Sequence, residues 1–66
     1  MNEEHHPTPA RLLEENFGGS RALTVDQIPT VVDLASQLGI LDVTMKYVRY
    51  RRPDLEEAID QALNQR

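Results

Sequence analysis

The sequence contains no cysteine and no tryptophan, and its only aromatic residues are one phenylalanine and two tyrosines. Without cysteine, the chain has neither a disulfide framework nor a thiolate metal site. No apolar run approaches the roughly 20 residues of a bilayer-spanning helix, and the start, Met1-Asn2-Glu3-Glu4, is acidic where a signal peptide is basic. We therefore expect a soluble, cytoplasmic protein. Its 66 residues predict one small domain, whose stability depends on helix packing or oligomerisation.

The signatures of catalysis are missing as well. The two histidines are adjacent, His5-His6, in a polar N-terminal segment, so no Ser/His/Asp or Cys/His arrangement can be assembled. No glycine-rich phosphate loop precedes a predicted helix. Four consecutive acidic and imidazole side chains, residues 3–6, do not form a preorganised metal site. We expect a protein that is not an enzyme and uses no metal or cofactor.

Positive charge is scarce overall but concentrated in one segment. The formal net charge is −4, yet four of the seven basic residues lie between residues 43 and 52, where there is no acid. That segment therefore carries +4 and the remainder carries −8. Local clustering of charge, rather than the total, is the electrostatic footprint of a nucleic-acid-binding surface. The basic residues of the cluster are Lys46, Arg49, Arg51 and Arg52.

Capping signals and apolar spacing divide the chain into helices. We expect residues 1–8 to be disordered and residues 9–66 to form a single helical domain, because the N-terminal segment has nothing to bury. Thr8-Pro9 marks a helix start, and Gly18-Gly19 marks its end. Asp26 and Asp42 are the preferred N-caps of the second and third helices, although Thr24 and Gln27 have capping-box spacing. The predicted helices cover residues 9–17, 26–38, 43–51 and 53–65, an all-α bundle of three to four short helices.

The first predicted helix has two alternative roles. Its apolar side chains Leu12, Leu13 and Phe17 form one face of an amphipathic segment that is set off from the rest by Gly18-Gly19. That face is suited to dock into a groove of a protein partner. Alternatively, the same side chains complete the small core of this domain.

The segment from Leu34 to Arg49 resembles the helix-turn-helix motif of DNA-binding regulators. Ala35 stands where the two helices of that motif approach closely, and Gly39 stands where the turn requires positive φ. Apolar contacts for the helix crossing come from Leu34, Leu38, Ile40, Met45 and Val48. Leu41 and Asp42 depart from the family pattern, in which a small polar residue is usual and a negative charge near phosphate is not. The resemblance implies a helix-turn-helix-like core and DNA binding in transcription regulation.

The resemblance also implies which residues contact DNA. Residues near the start of the recognition helix, here 43–51, reach base edges, while basic residues further along hold phosphates. Base reading is thereby assigned to Val43, Thr44, Lys46 and Tyr47. Backbone contacts are assigned to Arg49, Arg51 and Arg52, together with Tyr50. Because one such motif reads only a few base pairs, the expected partner is double-stranded DNA bound by a homodimer.

Other interpretations of the same residues stay open. In one alternative, the basic segment is a solvated face that balances the acids of the last helix. In another, Tyr47 and Tyr50 pack with Val43 in the core. The chain also resembles, more weakly, the ubiquitin-associated three-helix domains, through Leu38-Gly39-Ile40 and the acidic-apolar stretch from Asp54 to Ile59. This second resemblance implies a protein-interaction module whose partner patch consists of Gly39, Ile40 and Leu63.

Overall fold

The computed structural model describes residues 7–65, which fold into four α-helices without any strand. The expected all-α class is confirmed. None of the helices in this part of the chain is long and apolar enough to cross a membrane. The N-terminal part of the predicted disordered segment, with His5-His6, lies outside the described residues. The helices are α1 (Pro9–Phe17), α2 (Ile28–Gln37), α3 (Leu41–Arg51) and α4 (Glu56–Asn64).

Helix α1 has the bounds that its capping residues predict. The Thr8 side-chain oxygen accepts a hydrogen bond from the amide of Arg11 at 3.2 Å, and Pro9 opens the first turn. Gly18 ends the helix in the left-handed conformation with φ 81°, which costs glycine little. The disordered segment was predicted to include Thr8, but this residue forms part of the helix cap.

Helices α2 and α4 are each shorter than predicted because a 3-10 turn precedes them, Val25–Gln27 and Pro53–Leu55 respectively. The cap before α2 is Thr24 rather than Asp26: the Thr24 amide donates to the Gln27 side-chain oxygen at 3.0 Å. Pro29 then falls in the first turn of α2, where its missing amide proton removes no helical hydrogen bond. Helix α4 begins at Glu56 instead of at residue 53.

Helix α3 begins at Leu41, two residues earlier than predicted, and the residue at its cap position is Ile40. The amide of Thr44 donates to the carbonyl of Ile40 at 3.0 Å, which closes the first turn of the helix. Asp42 therefore lies inside this turn rather than at the cap. The tendency of Asp42 to act as an N-cap was outweighed by the preceding turn, which places Ile40 at the cap position.

The core lies between all four helices and contains twelve buried apolar side chains. Full burial of one large aliphatic side chain contributes about 1.5–3 kcal/mol, so these residues are the main source of stability. Helix α1 supplies two of them. Within the described chain, its apolar face therefore completes this domain's own core. The buried apolar residues are Leu12, Leu13, Leu23, Ile28, Val31, Val32, Ala35, Met45, Val48, Leu55, Ile59 and Ala62.

Partner docking through Leu12, Leu13 and Phe17, the alternative role of α1, stays a prediction that would compete with the packing of α1 in this domain's own core. Leu12 is 4% and Leu13 is 0% exposed, and Phe17 packs partly buried against the same core. A partner that used these side chains would have to pull α1 away from α2 and α3, against which it packs. That movement would expose those side chains to water and would lose the free energy gained by burying them.

Candidate nucleic-acid interface

The turn between α2 and α3 sets the direction of α3 relative to α2. The Ile40 amide donates to the carbonyl of Ala35 at 2.9 Å, and the Gly39 amide donates to that of Ser36 at 3.1 Å. This pair of bonds is a Schellman motif, and Gly39 occupies its left-handed position with φ 75°. Ala35 is fully buried at the end of α2. The turn that links α2 to α3 thus combines a buried small residue with a positive-φ glycine.

The inner side of α3 is formed by Thr44, Met45 and Val48, all of them buried. Thr44 was predicted to read base edges, but its side chain is 0% exposed. The prediction was wrong because Thr44 lies four residues before the buried Val48 and therefore on the same side of the helix. Residues 41, 44, 45 and 48 have the spacing of one inner face. Thr44 therefore belongs to the core.

The outer side of α3 carries Val43, Lys46, Tyr47 and Tyr50, which follow one another at three- and four-residue spacing. Val43 is 50% and Tyr50 is 81% exposed. Tyr47 is half-buried and packs partly against the core, so the core interpretation holds in part for Tyr47 and fails for Tyr50. We call these four residues, together with Arg51, the outer face of α3.

Two of the four basic residues in the cluster are held by acids of the same chain. Arg49 Nη2 lies 3.0 Å from Asp60 Oδ1 on α4. Arg52 forms two hydrogen bonds to Asp54, from Nε at 3.0 Å and from Nη2 at 2.9 Å. The predicted phosphate contacts of Arg49 and Arg52 are therefore opposed by existing ion pairs. This part of the segment fits the interpretation of a basic face that balances the acids of the last helix.

Arg52 has a structural role that sequence reasoning missed. Its Nη1 donates to the carbonyls of Ser20 at 2.9 Å, Leu23 at 3.1 Å and Arg21 at 3.2 Å. These bonds fasten the loop after α1 to the end of α3. The hydrogen bonds to the Arg52 guanidinium also lower the pKa of Asp54 below its ordinary value. No local pattern identifies such contacts, because the carbonyls lie about 30 positions away in the sequence.

Lys46 and Arg51 are the cations of the segment that have no ion pair within residues 7–65. The Arg51 guanidinium lies 6.0 Å from the centre of the Tyr47 ring, a cation–π arrangement. Both side chains are exposed. The available positive charge of α3 is therefore smaller than the sequence implies and lies on the outer face.

Apolar side chains are exposed next to the turn. Leu38 was predicted to pack in the helix crossing but is 50% exposed, because the Schellman turn points it away from α3. A shallow cleft of about 420 Å³ runs from Ser36 to Val43. Gly39, on the patch implied by the weaker resemblance, is exposed, whereas Ile40 and Leu63 pack half-buried against the core.

The described residues thus present two surfaces for a partner: the outer face of α3, with Lys46 and Arg51, and the apolar turn with Leu38 and Val43. The first has the charge and the geometry suited to a polyanion, and the second has the character of a protein contact. The chain matches no family model, and no similar curated protein or solved structure was found for it.

Proposed function

We propose that the chain binds double-stranded DNA as a small transcriptional regulator in the cytoplasm, with the outer face of α3 in the major groove. The observation that supports this most is the combination of a positive-φ turn at Gly39 with a following helix whose exposed side carries Lys46, Tyr47, Tyr50 and Arg51. A helix presented in this way fits the major groove.

The outer face divides into two parts along α3. Val43 and Lys46 lie in the first half of the helix, which approaches base edges in helix-turn-helix complexes. Tyr50 and Arg51 lie in the last turn, where contacts to the sugar–phosphate backbone fix orientation. Asp42, exposed in the first turn, repels phosphate and so favours an approach centred further along the helix. Thr44 and Arg52 are not part of the proposed contact.

The test is a titration of the chain with mixed-sequence duplex DNA at low and at moderate salt, followed by fluorescence anisotropy. Binding should weaken as salt rises, because neutralised phosphates release counterions. Lys46→Gln should weaken binding by about tenfold, the effect of one charged contact. Arg11→Gln is the matched control, since it removes the same charge from α1, outside the outer face. An absence of binding at low salt, or equal losses in both variants, would contradict the proposal.

The proposal includes a homodimer on DNA. A single helix of this length contacts only a few base pairs, and two-fold pairing doubles the contacts. The stoichiometry at saturation, measured by sedimentation of the complex on a short duplex, should be two chains per site. A saturated complex with one chain per site would rule out the dimer and leave DNA binding intact.

A protein-binding function is the second candidate, and the exposed Leu38 and Val43 favour it. Apolar side chains next to a turn are the kind of anchor that protein partners bury. The resemblance to ubiquitin-associated domains makes ubiquitin the first partner to test. Amide shifts around Gly39, Ile40 and Leu63 on titration with ubiquitin would support ubiquitin as the partner, and unchanged spectra would exclude ubiquitin.

A further inference from the structure

A second cleft lies between α1, the loop that follows it and the last turn of α3. Its volume is about 240 Å³, below the range of about 300–1,000 Å³ typical of sites for drug-sized ligands. A cleft of this size accommodates a small anion better than a whole nucleotide. It is lined by Ala10, Glu14, Gly18, Gly19, Ser20, Arg21, Tyr47 and Arg51.

The cleft brings together two arginines that are far apart in the sequence. Arg52 donates to the backbone carbonyls of Ser20, Arg21 and Leu23, so it holds this loop against the end of α3. Arg51 is the neighbour of Arg52 in the chain, and the backbone of Arg21 is one of the groups that Arg52 binds. The Arg52 contacts therefore bring the backbone of Arg21 close to the end of α3, and both Arg21 and Arg51 line the cleft.

The charges of the lining favour an anion. The lining contains two arginines and one acidic residue, Glu14, and none of the three forms an ion pair within residues 7–65. Guanidinium groups bind phosphate oxygens with paired hydrogen bonds. The hydroxyl-bearing side chains of Ser20 and Tyr47 also line the cleft and are suitable further donors.

We propose that this cleft binds a phosphate group through Arg21 and Arg51. In the DNA complex it would hold one backbone phosphate beside the last turn of α3. The DNA source of the phosphate rests on the proposed function, whereas binding of a phosphate group by the cleft does not. Arg52 acts as a positioning residue, because its own donors are used by the loop carbonyls and Asp54.

The first experiment titrates the full chain with inorganic phosphate at constant ionic strength, observed by amide chemical shifts. We expect shifts at Gly19, Ser20 and Arg21 and at the end of α3. Arg21→Gln and Arg51→Gln should each weaken binding by about tenfold, since each removes a charged donor pair. Glu14→Gln should strengthen it, because it removes the opposing charge. Lys46→Gln, on the outer face alone, should leave it unchanged.

The second experiment separates the two sources of phosphate. With duplex DNA, Arg21→Gln should make the negative slope of log K against log salt shallower by about one, the change expected when one phosphate contact is lost. Arg11→Gln should not change it. Phosphate binding without DNA binding would contradict the proposed function and identify a site for free phosphate. DNA binding with an unchanged slope in Arg21→Gln would overturn the contact of the cleft with a DNA phosphate. An absence of phosphate shifts at the cleft would overturn the cleft proposal as a whole.

Discussion

The hydroxyl of Thr44 is a buried polar group on the inner side of α3. Its side chain is 0% exposed, and its Oγ1 has no hydrogen-bond partner within residues 7–65. A buried hydroxyl without a partner costs about 1–3 kcal/mol in protein mutational data. The position therefore tolerates a polar atom rather than requiring one.

We expect Thr44→Val to increase the free energy of unfolding by about 1 kcal/mol, because valine keeps the shape and removes the unsatisfied hydroxyl. Urea denaturation measures this directly. Thr44→Ser, the matched control, keeps the hydroxyl and loses a methyl group, so it should be destabilising. DNA affinity should be the same in Thr44→Val as in the wild type. A weaker complex at unchanged stability would show that Thr44 contacts DNA after all.

At Arg52, a single guanidinium group connects three backbone carbonyls and one carboxylate. Lysine cannot reproduce this fork of donors, although it keeps the charge. Arg52→Lys should therefore lower the midpoint of thermal unfolding by several degrees, as followed by circular dichroism. Arg51→Lys, one position earlier and exposed, should leave the midpoint unchanged. Equal midpoints for both variants would contradict the structural role of Arg52.

The ion pair of Arg52 with Asp54 also predicts a dependence of stability on pH. Its hydrogen bonds lower the pKa of Asp54 in the folded state. The resulting stabilisation is present above the unfolded-state pKa of about 4 and is lost as the pH falls through the folded-state pKa. Between neutral pH and about pH 3, the wild type should lose more stability than Asp54→Asn. Parallel losses in urea titrations of the two proteins would argue against this pair.

At the scale of the elements, local signals predict the helices more accurately than their starting residues. Thr8, Pro9 and Gly18 act within one turn of the backbone, so the bounds of α1 are predicted correctly. The start of α3 was misplaced because the Schellman turn at Gly39 outweighs the cap propensity of Asp42. Thr44 was assigned to the wrong side of α3 for a separate reason: its four-residue spacing to Val48 places it on the buried face. The contacts of Arg52 with the loop had no signal of any kind in the sequence.

The turn at Gly39 offers a direct test of the α2–α3 geometry. A Cβ atom at this position would meet nothing within 4 Å, so only the backbone conformation opposes a substitution. Gly39→Ala should therefore cost about 1–2 kcal/mol, the penalty of a left-handed residue. Gly39→Asn should cost less, because asparagine tolerates this conformation. Equal stability of the alanine variant and the wild type in urea would contradict the positive φ.

At the scale of the whole molecule, charge is arranged unevenly although the net value is −4. The segment from residue 43 to residue 52 carries +4, and two of its arginines are neutralised by Asp54 and Asp60. The remaining cations, Lys46 and Arg51, lie on the outer face of α3, and Arg21 lies near Arg51 at the cleft. An acidic remainder disfavours other orientations on a polyanion. We therefore expect a single mode of approach to DNA.

The most direct measurement is amide chemical-shift mapping of the full chain with duplex DNA at low salt. We expect the largest shifts at Val43, Lys46, Tyr47, Tyr50 and Arg51. Addition of salt should reverse these shifts, because counterions then compete for the phosphates. Shifts centred on Leu38 and Gly39 without the outer face of α3, or unchanged spectra at saturating DNA, would contradict DNA binding through α3.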